Sequence, residues 1–273
     1  MRAHREEGVI DAHLHIDLYD EREQEKLLDE AFKAGVEAVV AVSMHLASCM
    51  RNRELAQRFK GRVMPAYGFH PEQPLPPAEE QEALLGWIRA RHRAGERFAI
   101  GEVGLPYYTR TGAAAAGEPF DEAPYIALLE RFVAMAAELD RPIALHAVYE
   151  DADKACDLLE RHGVKRAHFH WFKGSPKTMR RMIAKGYRIS VTPDVAYEPE
   201  IRAIVSQYPL ELMMAETDGP WPFEGPYEGR RTCPAMVRDV AASIAKLKGL
   251  PLKETLRAIR NQTASFYFDE GRH

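Results

Sequence analysis

Apolar positions along this chain cluster in short runs, and longer stretches with helical spacing separate them. Eight runs, at 9–17, 38–44, 63–71, 98–106, 142–148, 166–172, 188–193 and 212–218, are too short for buried helices and read as strands. The segments 23–33, 79–92, 126–139 and 151–162 repeat apolar residues every three to four positions, which predicts amphipathic helices. Gly35, Gly163 and Gly186 follow such patterns where a helix C-terminus wants a residue free to take positive φ. Two closing helices are expected at 232–248 and 252–268. Strands that alternate with helices imply a parallel sheet, because a parallel pair needs a crossover between its members. About eight such units over 273 residues predict an α/β protein, a single (β/α)8 TIM-type barrel forming one domain over 1–273. A doubly wound open sheet is the alternative.

Two connections stand out by length. Residues 107–124 contain Gly112-Ala113-Ala114-Ala115-Ala116-Gly117, which reads either as a mobile flap or as mere surface variation. Residues 219–234 are rich in proline and glycine and carry Trp221, Phe223, Tyr227, Arg230 and Arg231. Both follow strands, so in a barrel both belong to the face where chemistry occurs.

Composition narrows the setting. With 46% hydrophobic and 29% charged residues the chain can build one large core. A net charge of −4 makes the whole molecule no trap for nucleic acid, although a local basic patch stays open. Three scattered cysteines, Cys49, Cys156 and Cys233, suggest no disulfide framework. No apolar run approaches the ~20 residues of a membrane span, and the charged start resembles no signal peptide. A cytoplasmic protein without a membrane role is expected, and no stable protein partner is indicated.

The chemistry lies at the predicted strand ends. In Asp11-Ala12-His13-Leu14-His15 the two histidines sit two apart, so they share one face of a strand and form a metal clamp. Glu102, His146, His170 and Asp218 end later strands. Ionisable groups in such apolar surroundings need a partner, and a divalent cation supplies one. Six donors exceed the four of a tetrahedral zinc site and suit two ions about 3.5–4 Å apart, with Glu102 as the natural bridge. Asp218 is the candidate for both metal contact and proton acceptance from the attacking water, so Glu102 and Asp218 are the candidate catalytic residues. The histidines favour zinc, nickel, iron or manganese, and the carboxylates also permit magnesium. His70, in Gly68-Phe69-His70-Pro71, either lines the site for substrate or stabilises its turn. His168 is expected in the core, Glu216 behind the ligands, and His4, His92, His162 and His273 towards solvent.

These pieces together resemble the TatD family of metal-dependent hydrolases, within the amidohydrolase-type barrels. The resemblance rests on Asp11-Ala12-His13-Leu14-His15-Ile16-Asp17, Gly68-Phe69-His70-Pro71, Gly101-Glu102-Val103-Gly104-Leu105, His146, His170 with Phe172 and Gly174, and Glu216-Thr217-Asp218-Gly219-Pro220, with Asn261 and Phe266 near the end. It implies a TIM-type barrel, two divalent metal ions on the six ligands, and magnesium-dependent deoxyribonuclease activity of the kind often ascribed to the family. The chain departs from the family pattern at Pro106 (usually aspartate), Val148 (often arginine), Trp171 and Lys173 in the stretch after His170, and Thr232. The first functional expectation is therefore phosphodiester hydrolysis, with Lys173, Arg230 and Arg231 on phosphate and Trp221 or Tyr227 stacking on a base or simply packing its loop. The alternative is a small ester, lactone or amide cleaved on the same metal site. A non-catalytic barrel is the third reading, and the full ligand set argues against it.

Overall fold

The computed structural model describes residues 7–269. Eight strands follow in the order of the sequence, β1 to β8: β1 Val9–Leu14, β2 Val36–Ala41, β3 Val63–Tyr67, β4 Ala99–Gly104, β5 Ile143–His146, β6 Ala167–Phe169, β7 Arg188–Val191 and β8 Met213–Ala215. Neighbours pair in parallel, and the intervening helices make this the α/β arrangement of a (β/α)8 TIM-type barrel. The helices are α1 Glu21–Lys33, α2 Leu46–Arg58, α3 Ala78–Arg93, α4 Tyr107–Ala116, α5 Ala123–Glu138, α6 Glu150–Arg161, α7 Pro176–Lys185, α8 Pro199–Gln207, α9 Val237–Lys248 and α10 Leu252–Thr263. All eight expected strands are present but shorter than their apolar runs. His15, His70, His170 and Asp218 therefore lie on the loops just beyond strand ends.

The chain divides into two compact units. The first comprises Met1–Ala41, Glu54–Met64 and Ile189–His273. Its β1 is buried along its whole length, as strands of a parallel sheet covered on both faces must be. The register runs Ile10 to Ala38 and Asp11 to Val39. Beyond the strands, the Asp218 amide donates to the His13 carbonyl (3.0 Å) and the His15 amide to the Gly219 carbonyl (2.9 Å), so the ends of β1 and β8 are laced together. Helix α1 begins at Asp20, whose carboxylate accepts from the Arg22 amide at 2.9 Å. The closing segment is helical as expected, with a π-helical turn over Ala264–Phe268.

The second unit comprises Val42–Arg53 and Pro65–Arg188. Here β4 pairs with β5, Gly104 lying opposite His146, and β5 pairs with β6. Gly104 needs its missing side chain: a Cβ there would overlap the carbonyl of His146. Helix α7 starts at Ser175, which accepts from the Thr178 amide, with Pro176 at its first turn, and ends at Gly186 in the left-handed conformation. The long loop expected at 107–124 is corrected in its first half: Tyr107–Ala116 is a helix, closed by Gly117 at φ 72°. Alanine is the strongest helix former, so the run that looked too poor for a core suffices for an exposed helix. No residue of α4 is buried.

Candidate metal centre

In the first unit, His13, His15 and Asp218 form one cluster, all buried. Asp218 Oδ1 lies 3.5 Å from His13 Nε2 and 3.6 Å from His15 Nε2. The two imidazoles meet edge to face with centroids 5.2 Å apart. Asp218 sits at φ 49°, a left-handed conformation that a non-glycine residue seldom adopts, and this turns the loop after β8 back towards β1. Its neighbour Gly219 packs against Tyr19 and Leu14 so closely that a Cβ would overlap the Tyr19 hydroxyl.

Two buried carboxylates brace this cluster. Asp11 accepts from the Thr217 amide (3.0 Å), the Thr217 hydroxyl and the His13 amide (3.3 Å), and so ties β1 to the loop after β8. Burial raises its pKa well above the usual carboxylate range, against the pull of its bonds to Thr217. Glu216 accepts from the Ser190 hydroxyl on β7. The sequence pointed to Glu216 behind the ligands but assigned nothing to Asp11. Its place two residues before His13, on the same strand face, was the available signal.

In the second unit, Glu102, His146 and His170 form the other cluster, again buried. Glu102 Oε1 lies 2.8 Å from His170 Nε2 and 3.1 Å from His146 Nδ1, and those two nitrogens are 3.2 Å apart. His70 stands beside them, its Nε2 3.4 Å from Glu102 Oε1 and its ring 4.8 Å from that of His146. The far nitrogen of His146, Nε2, lies 3.2 Å from Glu72 Oε1, a residue that the sequence reading passed over. Burial alone would lower the pKa of His146; hydrogen bonds with Glu102 and Glu72 outweigh it and raise it. Burial alone would raise that of Glu72, but hydrogen bonds from His146, Thr109 and the Tyr108 amide bring it down to about 2.

The donor sets fit divalent ions. Two ligand atoms about 2.0–2.2 Å from one tetrahedral ion stand roughly 3.3–3.6 Å apart. The spacings in the first cluster, 3.5 and 3.6 Å, match, and those in the second, 2.8–3.2 Å, are slightly tighter. Imidazole nitrogen with carboxylate oxygen is the donor chemistry of zinc, manganese and nickel sites, and the carboxylates also accept magnesium.

The expected substrate residues are placed by other partners. The Lys173 ammonium stands 4.9 Å over the Trp171 ring, in the loop after β6. Arg231 pairs with Glu23 at 2.8 Å and covers the Tyr19 ring, itself packed on the Asp218 loop. Arg230 covers Tyr227, which is buried, so that aromatic packs its loop; Trp221 is 56% exposed. Val148 and Pro106 are buried. His168 is fully buried, as expected, whereas His92 and His162 are half-buried beside Arg141 and Glu130. His4 and His273 lie outside the described residues.

Known proteins resemble this chain in sequence and fold. The family model described as TatD related DNase matches residues 10–268. A metal-dependent hydrolase of Haemophilus influenzae, itself uncharacterised, is 38% identical over 260 residues, covering 95% of this chain and 99% of the relative. Human deoxyribonuclease TATDN3 is 30% identical, covering 97% and 96%. Among solved structures, the TatD homologue YjjV of Escherichia coli superposes with a TM-score of 0.81 at 25% identity, covering 96% of this chain and 98% of that one. A match that spans both histidine–carboxylate clusters, joined to a relative at 38% identity over nearly the full chain, leads to one conclusion: this chain belongs to the TatD family of metal-dependent hydrolases.

Proposed function

We propose that each cluster holds one divalent metal ion, zinc, manganese, nickel or magnesium, and that the enzyme hydrolyses phosphodiester bonds as a deoxyribonuclease. The observation that carries this reading is the pair of buried His/carboxylate triads, each with its donor atoms close enough together to converge on one ion. Relatives named deoxyribonucleases supply the substrate class. When bound, the ions supply Lewis acidity towards water and phosphate. His13, His15, Glu102, His146, His170 and Asp218 are the proposed ligands, and residues 1–273 act as a single domain that carries them all. Asp218 also accepts a proton from the attacking water, a role for which the carboxylate of the first triad is suited. Lys173 and Arg231 neutralise phosphate charge, and His70, at the rim of the second triad, contacts substrate. The three cysteines, Cys49, Cys156 and Cys233, form no disulfide, which accords with a reducing, cytoplasmic setting. Among the described residues no helix is long and apolar enough to cross a membrane.

A second reading, hydrolysis of a small ester, lactone or amide on the same triads, is favoured by buried Val148 and Pro106 where the family has charged residues. One panel separates the two. Purified enzyme loaded in turn with each of the four metals is assayed against a DNA duplex, a single strand, a phosphomonoester, a lactone and an amide. Cleavage of DNA with turnover lost on chelation is the expected result. Inertness towards DNA under all four metals, with turnover of the lactone or amide, replaces the first reading by the second.

A further inference from the structure

We propose that Glu72 is a positioning residue that holds His146 in its metal-ligating tautomer and couples that ligand to the start of α4. The inference rests on the reading that His146 is a metal ligand. The Glu72 carboxylate faces four groups. Oε1 accepts from the Tyr108 amide at 2.8 Å and lies 3.2 Å from His146 Nε2. Oε2 accepts from the Thr109 amide at 2.7 Å and the Thr109 hydroxyl at 2.6 Å.

A neutral imidazole carries one N–H. With the proton on Nε2, His146 donates to Glu72 and turns the Nδ1 lone pair towards Glu102 Oε1 and His170 Nε2, an approach of lone pairs that a cation held among these donors would relieve. With the proton on Nδ1, that lone pair is lost to a metal, and the Nε2 lone pair faces a carboxylate oxygen at 3.2 Å, which is repulsive. Glu72 therefore selects the ligating tautomer, the function carboxylates serve behind metal-bound histidines.

The same side chain anchors α4. That helix buries no residue, so packing contributes little to its placement. Glu72 takes the first free amides at its N-terminus, and Arg110 ties its next turn to Glu150 and Asp151, each at 2.9 Å. Because one of the anchored amides belongs to Tyr108, the clamp also sets the exposed Tyr108 ring, whose centroid is 6.1 Å from that of His146. A carboxylate is required here. Glutamine has one acceptor oxygen, so its amide NH2 must confront either the Thr109 amide or the pair formed by the Tyr108 amide and His146 Nε2–H.

The test uses full-length protein with zinc alone as the probe. Zinc affinity is measured by chelator competition, and amide exchange of the 107–111 peptide by mass spectrometry. Glu72→Ala is expected to weaken zinc binding about 10–100-fold and to speed exchange at Tyr108 and Thr109. Glu72→Gln should lose at least one of the two properties. In the wild type, zinc loading should slow exchange of the same peptide, and His146→Ala should abolish that response, since coupling between two sites is reciprocal. Wild-type zinc affinity in Glu72→Ala, with only the helix loosened, reduces Glu72 to a helix cap and overturns the proposal. If the Glu72 variants do not fold, the wild-type experiment decides alone: no change of exchange on zinc loading overturns the coupling. Undiminished zinc binding by His146→Ala refutes the underlying ligand assignment instead, a separately visible outcome.

Discussion

Asp218 concentrates two demands in one side chain. It faces both histidines of the first triad, and its backbone is held at φ 49°, a region more readily occupied by asparagine or glycine than by most residues. Asparagine keeps the shape, one ligand oxygen and the tolerance for that backbone, but it cannot take a proton. Asp218→Asn is accordingly expected to retain zinc, as read by elemental analysis, while kcat falls about 10²–10⁴-fold. A variant with full metal content and near-normal turnover would move the base elsewhere. Asp11 makes a different kind of prediction, because it touches no ion in this assignment. Its two oxygens take three bonds from Thr217 and His13 in a site that excludes water. Asp11→Ala leaves those donors buried without acceptors, and each costs about 1–3 kcal/mol when unsatisfied. A loss of roughly 3 kcal/mol in urea unfolding is expected, accompanied by weaker zinc binding at the first triad. A change below about 0.5 kcal/mol, the usual scatter of surface substitutions, would show that the bonds contribute little.

At the scale of elements, α4 is the feature that sequence reading misjudged and the one whose stability is easiest to tune. Its helix carries Gly112 in the middle, with no atom beyond its own helix backbone and chain neighbours within 4 Å of where a Cβ would stand and no positive φ. Glycine costs about 1 kcal/mol relative to alanine in a helix interior. Gly112→Ala should therefore slow local amide exchange in α4, and stabilise the chain by about 0.5–1 kcal/mol if the helix unfolds only with the rest. If α4 frays independently, exchange slows while the global midpoint stays put. Unchanged exchange in α4 would contradict the helix itself. The strands teach a complementary lesson. Apolar runs continue past the last ladder hydrogen bond because the loops that leave the sheet are buried too, as at Leu105 after β4 and Ala147 after β5. Run length therefore overstates strand length, and the proposed ligands divide between strand ends, as His13, Glu102 and His146, and the loops just beyond them, as His15, His170 and Asp218.

For the molecule as a whole, a net charge of −4 works against a polyanionic substrate, so the proposed action on DNA requires local cations. Arg231 is half-exposed and paired with the equally exposed Glu23, an interaction worth little to stability. Arg231→Ala is expected to fold normally and to raise KM for DNA. It should also reduce the slope of log affinity against log salt by about 0.7–0.9, the share of one phosphate contact. KM for an uncharged ester should not move. An unchanged salt slope for DNA would remove Arg231 from the phosphate-binding group.

Local chemistry was legible in the residues themselves. Alternation of apolar runs with helical periods specified the α/β barrel order, since a parallel pair requires a crossover and leaves few other topologies. Two histidines separated by one residue, followed by carboxylates and histidines at successive strand ends, pointed to a metal-dependent hydrolase. Tertiary structure decided what depends on the facing of distant groups. That Asp11 braces Thr217 across 206 positions, and that Glu72 reaches both His146 and the start of α4, follows from side-chain geometry that no local pattern encodes. The physical reason is range: periodicity and propensity act over a few residues, whereas a hydrogen bond between buried groups is set by how whole elements pack, so ligands announce themselves by type and spacing while the groups that orient them do not.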